Sequence, residues 1–373
     1  MRSYILFIAI IIFISCNSET TTREDQKVEK VSLKYAKGFS IKNEKDYKVI
    51  TLHNAWRESG TEKQYVLYKN KEPKGYSDAV KIKIPIKSIA CLSLTHIAFI
   101  EALGKENSIV AASGCNYTNS IKIKTRIKNN HIVEVGEEQA LNYEVLVDTK
   151  PNIVMAYGID ESSLKYINKL NQLGLKTVLN AEYMETHPLG KAEWLKFIGA
   201  FYDMDEKADS LFDNIEKEYL ELIELTRKVK NKPSVFVGMP WNGNWYVAGG
   251  KSFQAQLFKD AGANYLWRYN EEQSSIVKSK EVVYEEAFNA DFWLNQNSYN
   301  SITSILTYDE RLSNFKSIRD TNVFNNDNRV NEYSGNDYWE SATVNPQLVL
   351  KDLIKIFHPN LIEHQLFYYR RQQ

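Results

Sequence analysis

Residues 141–158 read LNYEVLVDTKPNIVMAYG, and this stretch decides the fold class. Residues 142–148 read as a helix whose first turn holds the acidic Glu144, a placement the helix dipole favours. Residues 152–155 follow as a short apolar run of the kind that forms a strand buried on both faces. A shorter copy of the pattern returns later. Glu281-Val282-Val283 leads to Ala290-Asp291-Phe292-Trp293-Leu294, again an acid-opened helix feeding a buried strand. Two copies of one helix–strand unit imply a duplicated architecture.

Working outward, the same alternation continues on both sides. Residues 88–92 and 108–112 read as strands, with a helix over 96–103 capped by Thr95 and stopped by Gly104. Residues 160–173 read as a helix ended by Gly174, and 176–179 as a strand. Pro188 opens a long helical region in which Trp194, Phe197, Ile198 and Phe201 keep helical spacing. After a break at Asp203-Met204-Asp205, residues 205–230 predict one helix about 39 Å long at 1.5 Å per residue. After Pro233 strands are expected at 234–239, 245–248, 292–295 and 322–324. Helices are expected from Ser252 to Ala261, over 281–289 and from Pro346 to Phe357. Short strands alternating with helices indicate parallel sheets with helical cover. The fold class is therefore α/β: two Rossmann-like lobes with central sheets, joined by a single long α-helix, with a small N-terminal β addition.

The segments divide as 1–15, 16–30, 31–80, 81–204, 205–230 and 231–360. Residues 4–14 are almost wholly apolar but number only about eleven, where a membrane span needs roughly 18–20, so they read as a signal peptide. Phe13-Ile14-Ser15-Cys16 followed by Asn17-Ser18-Glu19 resembles a bacterial lipobox, which makes Cys16 the expected lipidation site. Residues 16–30 then read as a polar tether, and 31–80 as the β addition, with strands at 47–52 and 64–68. Anchoring by several acyl chains is firm.

Composition removes other classes. Lys+Arg and Asp+Glu both number 47 in 373 residues, so no basic excess points to nucleic acid. With Cys16 set aside, Cys91 and Cys115 remain, either bridged or separately buried; two cysteines make no disulfide scaffold. No GxSxG, GxxxxGK[ST] or HExxH motif occurs, and the six histidines show no metal-ligand spacing. Glu182 and Glu185 stand as a paired-carboxylate alternative for acid–base chemistry.

In parallel α/β sheets, ligands bind beyond the carboxyl ends of the strands. That rule selects Ser93, Thr95 and His96; Cys115, Asn116 and Tyr117; Tyr157 and Gly158; Glu182 and Tyr183; Trp241, Trp245 and Tyr246; and the run Gly335-Asn336-Asp337-Tyr338-Trp339-Glu340. The set is rich in aromatics with scattered amides and acids, which suits a large, partly apolar ligand.

Four stretches of the chain resemble a known family. KSIACLSLTHIAFIEALGKENSIVAASG (87–114), the stretch at 141–158, SFQAQLFKDAGANYLW (252–267) and KEVVYEEAFNADFWL (280–294) occur in the order and spacing found in the periplasmic binding proteins for iron complexes and cobalamin. The likeness spans about residues 81–360. It implies two lobes on one rigid helix, a ligand in the cleft between them, and delivery to an ABC permease and its ATPase, with no catalysis and no cofactor. It implies ligand contacts for Tyr117, Tyr157, Trp245, Tyr246, Asn336, Asp337 and Trp339, and permease docking by Glu144 and Glu281. The implied partners are a metal-chelate small molecule, the permease with its ATPase, and the membrane through a lipid anchor. A monomer on the periplasmic side of a bacterial membrane is expected.

Which chelate is bound stays open between cobalamin and a ferric siderophore, with Arg268 and Arg329 as candidate cations for an anionic one. Heme would use Tyr117 or Tyr157 as axial ligand. Departures from the pattern centre on residues 115–138, where Lys122, Lys124, Arg126 and Lys128 alternate as if along a strand, facing either an anionic chelate or solvent. A surface lipoprotein without a transport role and a chelatase-like enzyme on the same fold are the alternatives.

Overall fold

The stretch that opened the reading folds as helix and strand. Tyr143–Asp148 is helical, and the Asn142 side chain accepts the Val145 N–H at 3.1 Å. Ile153–Ala156 is a strand with every residue buried, as a parallel strand covered on both faces requires. The computed structural model describes residues 29–373 apart from 55, 57–59, 138–139 and 159–162. Cys16, the 1–15 segment and nearly all of the 16–30 tether lie outside the described residues, as does the start of the helix expected from 160. The described part of that helix is Leu164–Gln172.

In the first lobe the strands lie in the order Thr177–Leu179, Ile153–Ala156, Ile89–Cys91, Ile109–Ala112, Val133–Glu134, and every pairing is parallel. Counted along the chain this is 5-4-1-2-3, a doubly wound order whose direction reverses between the first and fourth strands. In the second lobe the order is Asn264–Tyr265, Ser234–Val237, Phe292–Leu294, Val323–Asn325, with Arg370–Arg371 antiparallel at the edge. Here the order is 2-1-3-4-5, and the reversal falls between Ser234–Val237 and Phe292–Leu294. In each lobe, therefore, the strand fed by the Glu144 or Glu281 helix stands at the switch point.

One helix, Asp205–Arg227, links the lobes and is about 35 Å long. Its Ala208 packs into the first core and its Phe212, Tyr219 and Leu222 into the second, while Ile215 touches both. The Tyr219 hydroxyl donates to the buried Asp260 carboxylate at 2.8 Å, which fixes the helix to the second lobe. No helix among the described residues is long and apolar enough to cross a membrane.

The N-terminal strands Glu29–Lys30, Phe39–Asn43, Tyr47–Leu52, Lys63–Tyr68 and Val80–Lys83 form one sheet, antiparallel except for its last pair. Phe39, Ile50, Tyr65 and Leu67 share the core of the Ile89–Cys91 sheet. Phe39 and Tyr65 pack on Trp194, Phe197 and Phe201 of the helix Pro188–Phe201. Between this sheet and the second lobe runs the segment 31–38. The Glu193 carboxylate accepts the N–H groups of Lys34, Tyr35 and Ala36, and Glu185 accepts those of Lys37 and Gly38.

Two local expectations are corrected. The basic run at 121–128 is not a strand but the helix Ile121–Lys128, capped by Ser120 with only Ile123 buried. Its period-two alternation was coincidental, because a single anchoring residue sets no strand face. The helix after the first strand is Leu94–Ala102, and its cap is Ser93, whose hydroxyl accepts the Thr95 N–H. Cys91 and Cys115 are both buried and free.

Candidate functional site

Beyond the carboxyl ends of both sheets the lobes enclose a cavity of about 290 Å³. From the first lobe come Thr95, just after strand Ile89–Cys91, and Glu182 and Tyr183, just after Thr177–Leu179. Pro188 and Lys191 project from the first turn of the helix Pro188–Phe201. The second lobe supplies Phe253, Leu257, Tyr338, Trp339, Pro346 and Val349. The walls are thus mainly aromatic and aliphatic, and both charged groups, Glu182 and Lys191, come from the first lobe.

Charge within this space is concentrated in Lys191 and Glu182. The Lys191 ammonium lies 4.4 Å from the centroid of the Phe253 ring, a cation–π contact. It makes no ion pair within 4.0 Å among the described residues. Burial lowers its pKa, and Glu182 and Glu185 only partly oppose this. Glu182 is 3% exposed, and burial raises its pKa against the pull of Lys191 and the Thr95 hydroxyl. Two desolvated groups of opposite sign, too far apart to neutralise each other by direct contact, leave the ammonium able to take an anion.

A second set of contacts joins the lobes beside the cavity. Glu340, 2% exposed, accepts from the Thr118 hydroxyl at 2.5 Å and from the Asn119 N–H at 2.6 Å. The Asn331 side-chain amide donates to the carbonyls of Asn116 and Thr118, and that of Asn119 donates to Gly335. Gly335 sits so close to the Tyr117 carbonyl that a Cβ there would come within 2.0 Å of its oxygen. Only glycine allows this approach, which holds the two lobes in contact there. Burial raises the Glu340 pKa, with Asp337 and Glu101 adding to the effect. A carboxyl raised in the folded state stabilises most at low pH, and that contribution falls as pH rises through the folded pKa. Relative to Glu340→Gln, the wild type is therefore expected to gain unfolding free energy as pH drops from about 7.5 to about 4.5. Urea denaturation at both pH values reads the difference; an opposite slope would remove the burial argument.

The ligand candidates singled out from the sequence fall in five places. Trp339 lines the cavity, 59% exposed, with its ring against Tyr338. Tyr117, Asn336 and Asp337 belong to this second set of contacts or flank it. The Asn336 side chain is engaged with the Asn326 carbonyl and the Tyr338 N–H, and Asp337 is buried and paired with Arg329 at 2.5 Å. Tyr157 follows its strand, with its ring 6.4 Å from that of the fully buried His96. Tyr246 is exposed and stands beside Trp241 on the hairpin Pro240–Trp241/Asn244–Ala248.

Trp245 requires a correction. Its indole is fully buried, donates to the Val237 carbonyl and packs on Phe236 and Trp293. Strand alternation sends Tyr246 outward and Trp245 into the core, so Trp245 cannot touch a cleft ligand. Neither Arg268 nor Arg329 lines the cavity. Glu185 is withdrawn from acid–base work by the two backbone N–H groups and the Trp194 indole that it accepts.

The strand-end rule found Thr95, Glu182, Tyr183 and Trp339. It missed Lys191, Phe253 and Leu257, which lie on helices and carry no local signature; the one available signal was a lysine three residues after the Pro188 that opens a helix. Glu144 and Glu281 occupy the exposed first turns of Tyr143–Asp148 and Lys280–Ala287, one on each lobe. Among the described residues no three His, Cys, Asp or Glu side chains gather to hold a metal ion.

Comparisons with known proteins agree with this geometry. The profile of a periplasmic binding protein family matches residues 89–330. An uncharacterized lipoprotein of Methanocaldococcus jannaschii is 27% identical over 288 residues, covering 74% of this chain and 66% of that relative. A possible iron-binding, periplasmic solute-binding protein of Staphylococcus epidermidis superposes with a TM-score of 0.57 at 18% identity, covering 74% of this chain and 99% of that one. A periplasmic heme-binding protein of Pseudomonas aeruginosa gives 0.58 at 14% identity, covering 77% and 98%.

Proposed function

This chain belongs to the periplasmic binding protein family, and from that premise we propose that it is the solute-binding lipoprotein of an ABC importer, carrying an anionic metal chelate in its interlobe cavity. The observation that carries the reading is Lys191, an ammonium without an ion pair among the described residues, placed in a mainly apolar cavity whose other charged group is the buried Glu182. Aromatic walls take the flat or hydrophobic part of a ligand, and a few oriented polar groups fix it. A carboxylate, hydroxamate or catecholate oxygen reaching Lys191 gains a charge-assisted hydrogen bond in a poorly solvated site. Ferric siderophores and heme meet both requirements. Cobalamin meets the first alone and stands second.

At about 290 Å³ the cavity lies at the small end of ligand sites. A whole chelate therefore needs the lobes to part, and the ligand favours whichever lobe arrangement it binds better. Glu144 and Glu281 then dock the two lobes on the permease, and a separate ATPase supplies the energy, so the chain acts by binding alone. Cys16 holds the protein on the periplasmic side of a bacterial membrane, a reading supported by the archaeal relative named as a lipoprotein.

The test is a titration of the purified protein with heme, a ferric siderophore and uncharged cyanocobalamin, followed by absorbance and tryptophan quenching. Lys191→Met is expected to weaken an anionic chelate about 10–100-fold, the loss of about 1.4–2.8 kcal/mol. Binding of cyanocobalamin should stay within about twofold. Equal losses for charged and uncharged ligands, or no binding of any of the three, would overturn the reading.

A further inference from the structure

A second cavity is larger than the interlobe one. A recess of about 790 Å³ lies on the other side of the helix Phe253–Asp260. Phe253 and Leu257 of that helix face the interlobe cavity, whereas Ala255, Gln256 and Lys259 face the recess. The opposite wall is the N-terminal segment at Lys34, Tyr35 and Lys37, outside the part matched by the family profile. Glu193 and Glu185 pin that wall through five backbone N–H groups, those of Lys34, Tyr35, Ala36, Lys37 and Gly38. The recess is therefore built by this chain's own addition.

Its charge is one-sided. Lys34, Lys37, Lys232, Lys251, Lys259 and Arg268 line it, and the one lining carboxylate is Glu271. Lys34 is paired with Glu216 and Asp213, and Lys251 reaches Glu271 at 3.5 Å. Lys37, Lys232 and Lys259 have no ion pair among the described residues. Three elements thus bring unneutralised ammonium groups to one concave surface. His187, between the two walls, registers this field. Burial is the main cause of its lowered pKa, about 4, and Lys259 and Lys37 both push it further down. Its ring faces Tyr35 and Tyr219, and its Nδ1 accepts the Leu189 N–H, so no carboxylate offsets the two lysines there.

We infer that this recess is a second binding site, for a compact polyanion bearing phosphate-type oxygens, held between Lys37 on the N-terminal segment and Lys259 on the second lobe. Lysine serves such groups as a mobile point charge. At a solvated surface each contact contributes modestly and is weakened by salt, so affinity requires several cations converging on one anion. Free pyrophosphate and the headgroup of an anionic phospholipid share this chemistry.

The intact chain is titrated calorimetrically with inorganic pyrophosphate at about 50 and about 200 mM salt. It is also sedimented with phosphatidylglycerol vesicles and with phosphatidylcholine vesicles. Saturable pyrophosphate binding at one site is expected, weaker at the higher salt. The double substitution Lys37→Gln with Lys259→Gln should weaken it at least about tenfold. The same loss of charge at Lys122→Gln with Lys124→Gln, and the cavity variant Lys191→Met, should leave it unchanged. Binding to phosphatidylglycerol vesicles with the same dependence on Lys37 and Lys259 identifies the headgroup as the source; pyrophosphate binding alone identifies a free anion. Failure of both probes to saturate, or equal weakening by the two lysine pairs, overturns the site.

Discussion

Charge reversal at Glu144 and Glu281 together, as Glu144→Arg with Glu281→Arg, is expected to abolish chelate uptake while leaving chelate affinity unchanged. Both carboxylates are exposed, and each sits in the first turn of a helix capped by Asn142 or Ser279. Nothing in the lobe core depends on them. Reversal places a cation at a helix N-terminus, a cost of only about 0.3–1 kcal/mol each, so the fold survives. At an interface the effect is much larger, because truncating one partner of a buried charge pair costs about 2–5 kcal/mol. Reversal at both ends should exceed this and lower transport by more than about a hundredfold. Uptake of labelled chelate by cells making the variant, beside its solution affinity and melting temperature, separates docking from folding. Transport retained at near wild-type rate would dismiss the docking assignment.

The second large effect is on stability. Glu193 is fully buried in the helix Pro188–Phe201, accepts three successive backbone N–H groups from the 34–36 segment and pairs with Lys196 at 3.3 Å. Glu193→Ala leaves those donors without an acceptor and takes from the largely buried Lys196 one of its two carboxylate partners, the other being Asp209. Removing one partner from such an arrangement costs about 3–5 kcal/mol. Urea unfolding should show this loss, and limited proteolysis should cut near residues 31–38 before the lobes. A loss below about 1 kcal/mol would mean that water replaces the carboxylate and that the segment is not pinned as described. Because Lys34 and Lys37 also wall the cationic recess, the same substitution should weaken pyrophosphate binding there.

Much of the architecture could be read before any coordinates. Periodicity placed strands at 88–92, 152–155 and 292–295, which form as Ile89–Cys91, Ile153–Ala156 and Phe292–Leu294, and the helix Pro346–Phe357 runs between the residues expected for it. These elements are decided locally, by buried apolar runs, a proline at the first helical position and capping side chains. The reading failed where local pattern was ambiguous. Alternating Ile and Lys at 121–128 fits a strand on paper, but Ser120 starts a helix there.

The site divided along the same line. Strand-end logic reached Thr95, Glu182, Tyr183 and Trp339 because their positions follow from sheet topology. Lys191 escaped it, and Trp245 was placed wrongly, because the face on which a side chain ends depends on what packs against its element. Local pattern was enough for two α/β lobes on one rod, each with an acid-opened helix feeding a buried strand; that these strands stand at the switch points follows from the sheet order. Only the tertiary structure decided that a lysine would be stranded beside Phe253, that Glu340 would bind Thr118 across the cleft, and that the N-terminal segment would wall a cationic recess. Each of these rests on contacts between residues far apart in the chain, and no local pattern of apolar and polar positions encodes which distant surfaces will meet.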